Sequence, residues 1–170
     1  LNLAGEGMSK DAVARGDFVL APELHAPTDR IDVSFRLLVS EKKPIGQWAP
    51  IRLHHAATDI GARIVLLGDT PIAPGDQVFA QLVLERPIAA AVGDPFVARD
   101  TTAQRTIGGG AFVDLRPPTR KRRTPERRAI LAAASHVDAR QALRDLLATP
   151  PADPFATELV LVPARGVERW

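Results

Sequence analysis

Gly93-Asp94-Pro95-Phe96-Val97-Ala98-Arg99-Asp100, followed by Thr101-Thr102-Ala103-Gln104-Arg105-Thr106-Ile107-Gly108-Gly109-Gly110, decides how the chain is read. An apolar-cored strand runs into a polar turn, and a second strand leaves it through three glycines. Arg99, Asp100, Arg105 and Thr106 crowd that turn. A phosphate loop needs glycines that lead into a helix N-terminus. Here β-prone residues flank the glycines on both sides, so the run is read as close backbone approach or a bulge at a barrel corner.

Working outward, residues 30–115 read as strands. Ile31, Val33, Phe35 and Leu37 alternate with Asp32, Ser34 and Arg36, a period of two. Short β-prone runs follow at 51–54, 60–67, 78–84, 96–99 and 111–115. Turn residues such as Pro74-Gly75-Asp76 and Gly93-Asp94-Pro95 separate several of them. About six strands with no helix between them predict a mainly β fold, a small antiparallel barrel. Val33, Phe35, Leu53, Ile64, Leu82, Leu84, Phe96 and Val113 are its expected core.

Upstream, residues 1–4 and 17–21 read as two short strands. Pro22 and Pro27 mark an extended linker at 22–29. Downstream of Pro117-Pro118 the pattern changes to helix. Thr124-Pro125-Glu126 is a helix start, with a hydroxyl cap, proline at the first position and an acid in the first turn. Ser135-His136-Val137-Asp138 offers a second cap, after which Val137, Leu143, Leu146 and Leu147 can share a face. Pro150-Pro151 stops that helix, and residues 158–162 read as strand or helix. The first residues, Leu1-Asn2-Leu3-Ala4-Gly5, read as mid-strand, so the chain is expected to be a piece of a longer protein.

Composition excludes several classes. The 170 residues are 45% apolar, ordinary for a globular domain. No apolar run reaches the roughly 18 residues of a membrane helix. There is no cysteine, so neither disulfides nor thiolate metal sites are possible, which fits a cytoplasmic protein. Neighbours on a strand point to opposite faces, so His54 and His55 cannot bind one ion; one of them is expected to pack and hydrogen-bond. No metal ligand set and no catalytic residue stands out. Gly5-Glu6-Gly7-Met8-Ser9-Lys10 has the wrong order and spacing for a nucleotide loop. Net charge is only +2, yet seven basic residues between Arg116 and Arg128 face one acid, Glu126. That run is either a solvated linker and helix start or an electrostatic footprint for RNA. Phe112 is the aromatic close by that could stack a base, and backbone attraction is favoured over sequence reading.

The hairpin, and above all Gln104-Arg105-Thr106-Ile107-Gly108-Gly109-Gly110, resembles the last hairpin of the third domain of translational GTPases of the elongation factor Tu group. Within that group it is most similar to the selenocysteine-specific elongation factors, the SelB family. Ala14-Arg15-Gly16-Asp17-Phe18-Val19-Leu20-Ala21 is similar to the end of their second domain. Gln47-Trp48-Ala49-Pro50-Ile51-Arg52-Leu53-His54-His55-Ala56-Ala57, Pro74-Gly75-Asp76, Ala80-Gln81-Leu82-Val83-Leu84 and Pro87-Ile88 follow in the family's order. Pro95 and Ala111 depart from it where relatives carry arginine, and Ala98 where an apolar Leu is common. The resemblance implies a division into the tail of the second domain (1–21), a linker (22–29), the third-domain barrel (30–116), a basic linker (117–123) and the helical start of a winged-helix region (124–170).

It also implies partners. The parent protein would bring selenocysteyl-tRNA to the ribosome at a recoded UGA as a monomer. GTP and magnesium would be held by a GTPase domain against which the barrel packs, with no cofactor in this chain. The mRNA insertion element would be held by downstream domains. The candidate RNA contacts are Arg63, placed after an Asp59-Ile60-Gly61 turn, Arg99, Thr101, Thr102, Gln104 and Arg105 in the hairpin, and Arg122, Arg123, Arg127 and Arg128 in the basic run. Arg105 could span two phosphates or pair with Asp100. The rivals are a barrel that acts only as a spacer, and the third domain of another translational GTPase.

Overall fold

The computed structural model describes residue 9, residues 13–136 and residues 138–148. The expected features at 1–4, at Pro150-Pro151 and at 158–162 lie outside the described residues. Six strands form a closed antiparallel barrel: β1 (Thr28–Leu37), β2 (Ala49–His55), β3 (Thr58–Leu66), β4 (Gln77–Ile88), β5 (Pro95–Arg99) and β6 (Thr106–Asp114). Their order around the barrel is β1-β4-β3-β2-β5-β6, and β6 closes on β1. Among the described residues no helix is long and apolar enough to cross a membrane.

The period-two pattern of β1 does what it predicts. Ile31, Val33, Phe35 and Leu37 are all fully buried and point into the barrel with Leu53, Ile64, Leu82 and Phe112. Three rings stack through the centre, Phe35 on Phe96 at 6.3 Å and Phe96 on Phe112 at 5.3 Å. The eight expected core residues are all buried. Val113, however, lies outside the barrel wall, in a second cluster with Leu67 and Leu131. Phe112 already fills the inward position of β6, and a neighbour along a strand must face the other way.

The three glycines lie within β6, where backbones approach closely. A Cβ on Gly110 would fall 1.7 Å from the Ser34 carbonyl oxygen of β1, and one on Gly109 would fall 2.7 Å from that of Phe96 in β5. The closing strand can therefore carry no side chain here, which is the backbone-approach reading.

Three local expectations need correction. Asp59-Ile60-Gly61 is not a turn but part of β3; the reversal is the two-residue Ala56-Ala57 turn, with Ala56 left-handed at φ 49°. Residues 17–21 form no strand. A closed barrel has no free edge to pair with them, so they lie along its surface. Thr58 donates its hydroxyl to the Gly16 carbonyl at 2.9 Å, and Phe18 stacks on His55 at 5.5 Å. Pro22 opens a three-residue 3-10 turn, Pro22–Leu24, and β1 already begins at Thr28.

The third correction concerns the helix caps. α1 (Pro125–Ala134) starts as expected, with the Thr124 hydroxyl accepting the Arg127 N–H at 3.2 Å. Its own N–H and the Thr124 hydroxyl hold the Glu126 carboxyl below the usual range. Ser135, read as the cap of the second helix, instead ends α1, its hydroxyl turned back to the Ala132 carbonyl. Asp138 caps α2 (Ala139–Ala148), its carboxylate accepting the Arg140 N–H at 2.9 Å. Ser135 is still helical, and a cap residue must be extended. Leu143 and Leu147 stay exposed on α2, while Val137 and the Leu146 side chain lie outside the description.

Candidate nucleic-acid interface

The polar turn between β5 and β6 is built around Asp100. Its carboxylate accepts the Thr102 hydroxyl at 2.9 Å and the N–H groups of Gln104 and Arg105 at 3.0 and 3.3 Å. Partial burial pushes this carboxyl up, but those bonds prevail and hold it below its ordinary value. Ala103 takes the left-handed conformation that closes the turn. Thr101, Thr102 and Gln104 are exposed. Arg105 is also exposed, and its guanidinium pairs with Glu41, with Nε 4.0 Å from Asp100. Glu41 was not found in the sequence, because it reaches the turn from a loop 64 residues earlier.

A second group lies on the outer face of β2, β3 and β5. Register sets Arg52 beside both Arg99 and Gly61, and Pro50 beside Arg63. Gly61 leaves room for Glu85, since a Cβ there would fall 2.2 Å from that carboxylate. A depression of about 280 Å³ results, lined among others by Arg52, Gly61, Arg63, Glu85 and Thr101. Arg52 is paired with Asp59 at 2.7 Å. Arg63 donates to the Trp48 carbonyl at 3.3 Å. Of the expected residues, Arg63, Arg99 and Thr101 thus come together here. Arg52 was missed, although the alternation of β2 puts it on the same outer face.

The basic run behaves differently. Arg127 is largely buried and sits between two carboxylates, Asp32 and Asp114, each 2.5 Å from the same nitrogen. Asp32 is fully buried and also accepts from the Gln81 amide at 2.9 Å. Burial raises the Asp32 carboxyl above its ordinary value, against the hydrogen bonds of Arg127 and Gln81. Burial likewise opposes the Arg127 charge, but its two carboxylate partners raise its affinity for the proton. Arg122 donates to Gln81 at 2.9 Å and lies 5.6 Å over the ring of Trp48. Arg123 donates to the Leu66 carbonyl at 3.1 Å. Arg116 holds the carbonyls of Ala26 and Pro27. Of the four candidates, Arg128 alone is exposed with no side-chain partner among the described residues. The run is a strap that ties α1 to the barrel, and its arginines do not converge.

Two aromatic assignments change. Phe112 is buried in the core and cannot stack a base. The exposed aromatic beside the arginines is Trp48, 43% exposed and left-handed at φ 62°. Of the two histidines, His55 packs and hydrogen-bonds as expected, with Asp94 at 2.9 Å and with Phe18 and Phe112 against its ring.

Comparison with known proteins agrees with the barrel fold. The family described as "Selenocysteine-specific elongation factor, beta-barrel domain" matches residues 28–119, the span of the closed barrel and its exit. The selenocysteine-specific elongation factor of Escherichia coli K12 is 36% identical over 126 residues, 74% of this chain and 18% of that protein. That of Haemophilus influenzae is 30% identical over 132 residues, 78% of this chain and 20% of that protein. A stretch of 28 residues, 16% of this chain, is 75% identical to the RecBCD enzyme subunit RecC of Mycolicibacterium smegmatis, covering 3% of it. The chain thus spans about a fifth of the two elongation factors it matches. A six-stranded closed barrel with the family's signature across it leaves one assignment: the chain belongs to the selenocysteine-specific elongation factors and carries their β-barrel domain.

Proposed function

We propose that this barrel is the tRNA-side connector of a selenocysteine-specific elongation factor, gripping the T-stem of selenocysteyl-tRNA through its backbone while the chain itself catalyses nothing. One observation carries the reading: Arg52, Arg63, Arg99 and Thr101 converge on one outer face beside the Asp100 turn. A rigid surface bearing a few arginines suits duplex RNA, which is recognised by shape and phosphate contacts rather than by base edges. Delivery to the ribosome at a recoded UGA, GTP hydrolysis with magnesium and mRNA recognition would then fall to other parts of the parent factor in the cytoplasm.

The spacer reading draws on a specific observation too. The Arg127 pair and the bonds of Arg122 and Arg123 fix α1 to the barrel, as a rigid connector requires. The two are separated by binding of aminoacylated tRNA to the full-length factor carrying Arg63→Ala and Arg99→Ala. Contact predicts weaker binding and a plot of log affinity against log salt that is flatter by somewhat under one unit per lost phosphate contact. Unchanged affinity and slope would leave the barrel as a spacer.

A further inference from the structure

We propose that Trp48, with Arg122 over its ring and Arg63 beside it, is a stacking site for an unpaired RNA base. The inference rests on the RNA-contact reading above and extends it from phosphates to a base.

Trp48 is held in a conformation that a bulky side chain rarely takes. Such strain persists only where the surroundings over-determine it, and it gathers at functional positions. The surroundings are visible on both sides. Gln47 accepts the Leu66 N–H through its side-chain oxygen at 2.6 Å, Ala49 is already paired in β2, and Arg63 donates to the Trp48 carbonyl. The result holds a large apolar ring out of the core, with 43% of the residue open to solvent.

The guanidinium of Arg122 covers the ring at 5.6 Å and is itself steered by Gln81. Arg63 spends one N–H on the Trp48 carbonyl, and a guanidinium carries five. A half-exposed ring with one guanidinium over it and a second on its own carbonyl matches a flat π system that carries phosphate. Bases inside a duplex offer only their edges, so the ligand is a base splayed out of a bulge, loop or end. The platform continues the Arg52–Arg99 face through Arg63, so a duplex lying there would bring an adjacent unpaired nucleotide to Trp48.

The chain has two tryptophans, and Trp170→Phe leaves Trp48 as the only reporter. The probes are an RNA hairpin with one bulged adenosine and the same hairpin fully paired. The bulged RNA should quench Trp48 emission and bind about ten-fold tighter than the paired one, the lower range for one base on an aromatic ring. Trp48→Leu should erase that preference while keeping the affinity for paired RNA, and Trp48→Phe should retain part of it. Equal affinity of the Trp48 protein for both RNAs, with paired RNA still bound in a salt-dependent way, would refute the stacking site and leave the T-stem reading intact. Binding of neither RNA would sink both. The comparison of the two RNAs needs no mutation at Trp48, so a misfolded variant cannot rescue the idea.

Discussion

Arg127→Met removes the charge that joins α1 to the barrel while keeping most of the side-chain volume. Asp32 is fully buried, and Arg127 meets it through both Nε and a terminal nitrogen, at 3.2 and 2.5 Å. Removing one partner of a buried pair costs about 3–5 kcal/mol, because a charge is left uncompensated. Two features reduce that figure here. Gln81 still donates to Asp32, and Asp114 is partly exposed and can recover water. A loss of about 2–3 kcal/mol follows, toward the lower end for a broken buried pair. The loss also has a ceiling. Asp32 is covered partly by α1, so undocking the helix would let water reach the carboxylate. If docking is weaker than the penalty, α1 separates and the barrel survives.

Hydrogen exchange distinguishes these outcomes. Amides in the first half of α1 should lose protection far more than those of β1 and β4. Asp32→Asn on top of Arg127→Met should restore part of the loss, since the orphaned charge is then gone, and the double-mutant cycle measures the coupling. Equal melting temperatures for parent and Arg127→Met, with α1 exchange unchanged, would refute the reasoning.

Other expectations follow from the same geometry. Phe96→Ala removes the central ring of the stack and should cost about 3–5 kcal/mol by denaturant titration; an unchanged midpoint would place Phe96 outside the core. Gly110→Ala, with its Cβ 1.7 Å from the Ser34 carbonyl oxygen, should break the β1–β6 ladder, and a folded variant with native exchange in β6 would contradict the register. The Asp100 carboxyl lies below its ordinary 3.8, so its stabilising effect is present above that value and lost as pH falls through the lowered one. Asp100→Asn should therefore lower the melting temperature at neutral pH, and that difference should shrink below pH 3.8 and vanish once pH has passed the lowered value, where the parent is protonated too. Asp32 has the opposite sign. Its carboxyl lies above 3.8, so the parent should gain on Asp32→Asn as pH falls through the raised value, and a gain on raising the pH would contradict it.

The parts legible in the sequence were those fixed locally. Alternation in β1 is written in consecutive residues, and so is the Thr124-Pro125-Glu126 start of α1. Alternation also put Asp32 correctly on the outer face, but not under a helix. Its partner is 95 residues away, and nothing in either neighbourhood announces the pairing. For the same reason the internal bonds of Arg122, Arg123 and Arg127 could not be read from the basic run itself. Arg63, Arg99 and Thr101 were named from the resemblance, and the register places them on one face. Trp48 lies far from the basic run in sequence, and Arg122 reaches its ring only in space.

Closure of the barrel by its first and last strands has a mechanical consequence. Asp32 of β1 lies opposite Asp114 of β6, and the two strands are antiparallel. The chain therefore arrives and departs at one end of the same seam, and Arg116 bridges the two segments there by gripping Ala26 and Pro27. Force applied through the two neighbouring segments would load the seam from that end and open its bonds in succession, as a zipper does, rather than shear them all at once. Arg116 would take the first of that load. A pull between neighbours would thus meet its resistance in one arginine and the nearest rungs, leaving the far side of the barrel slack.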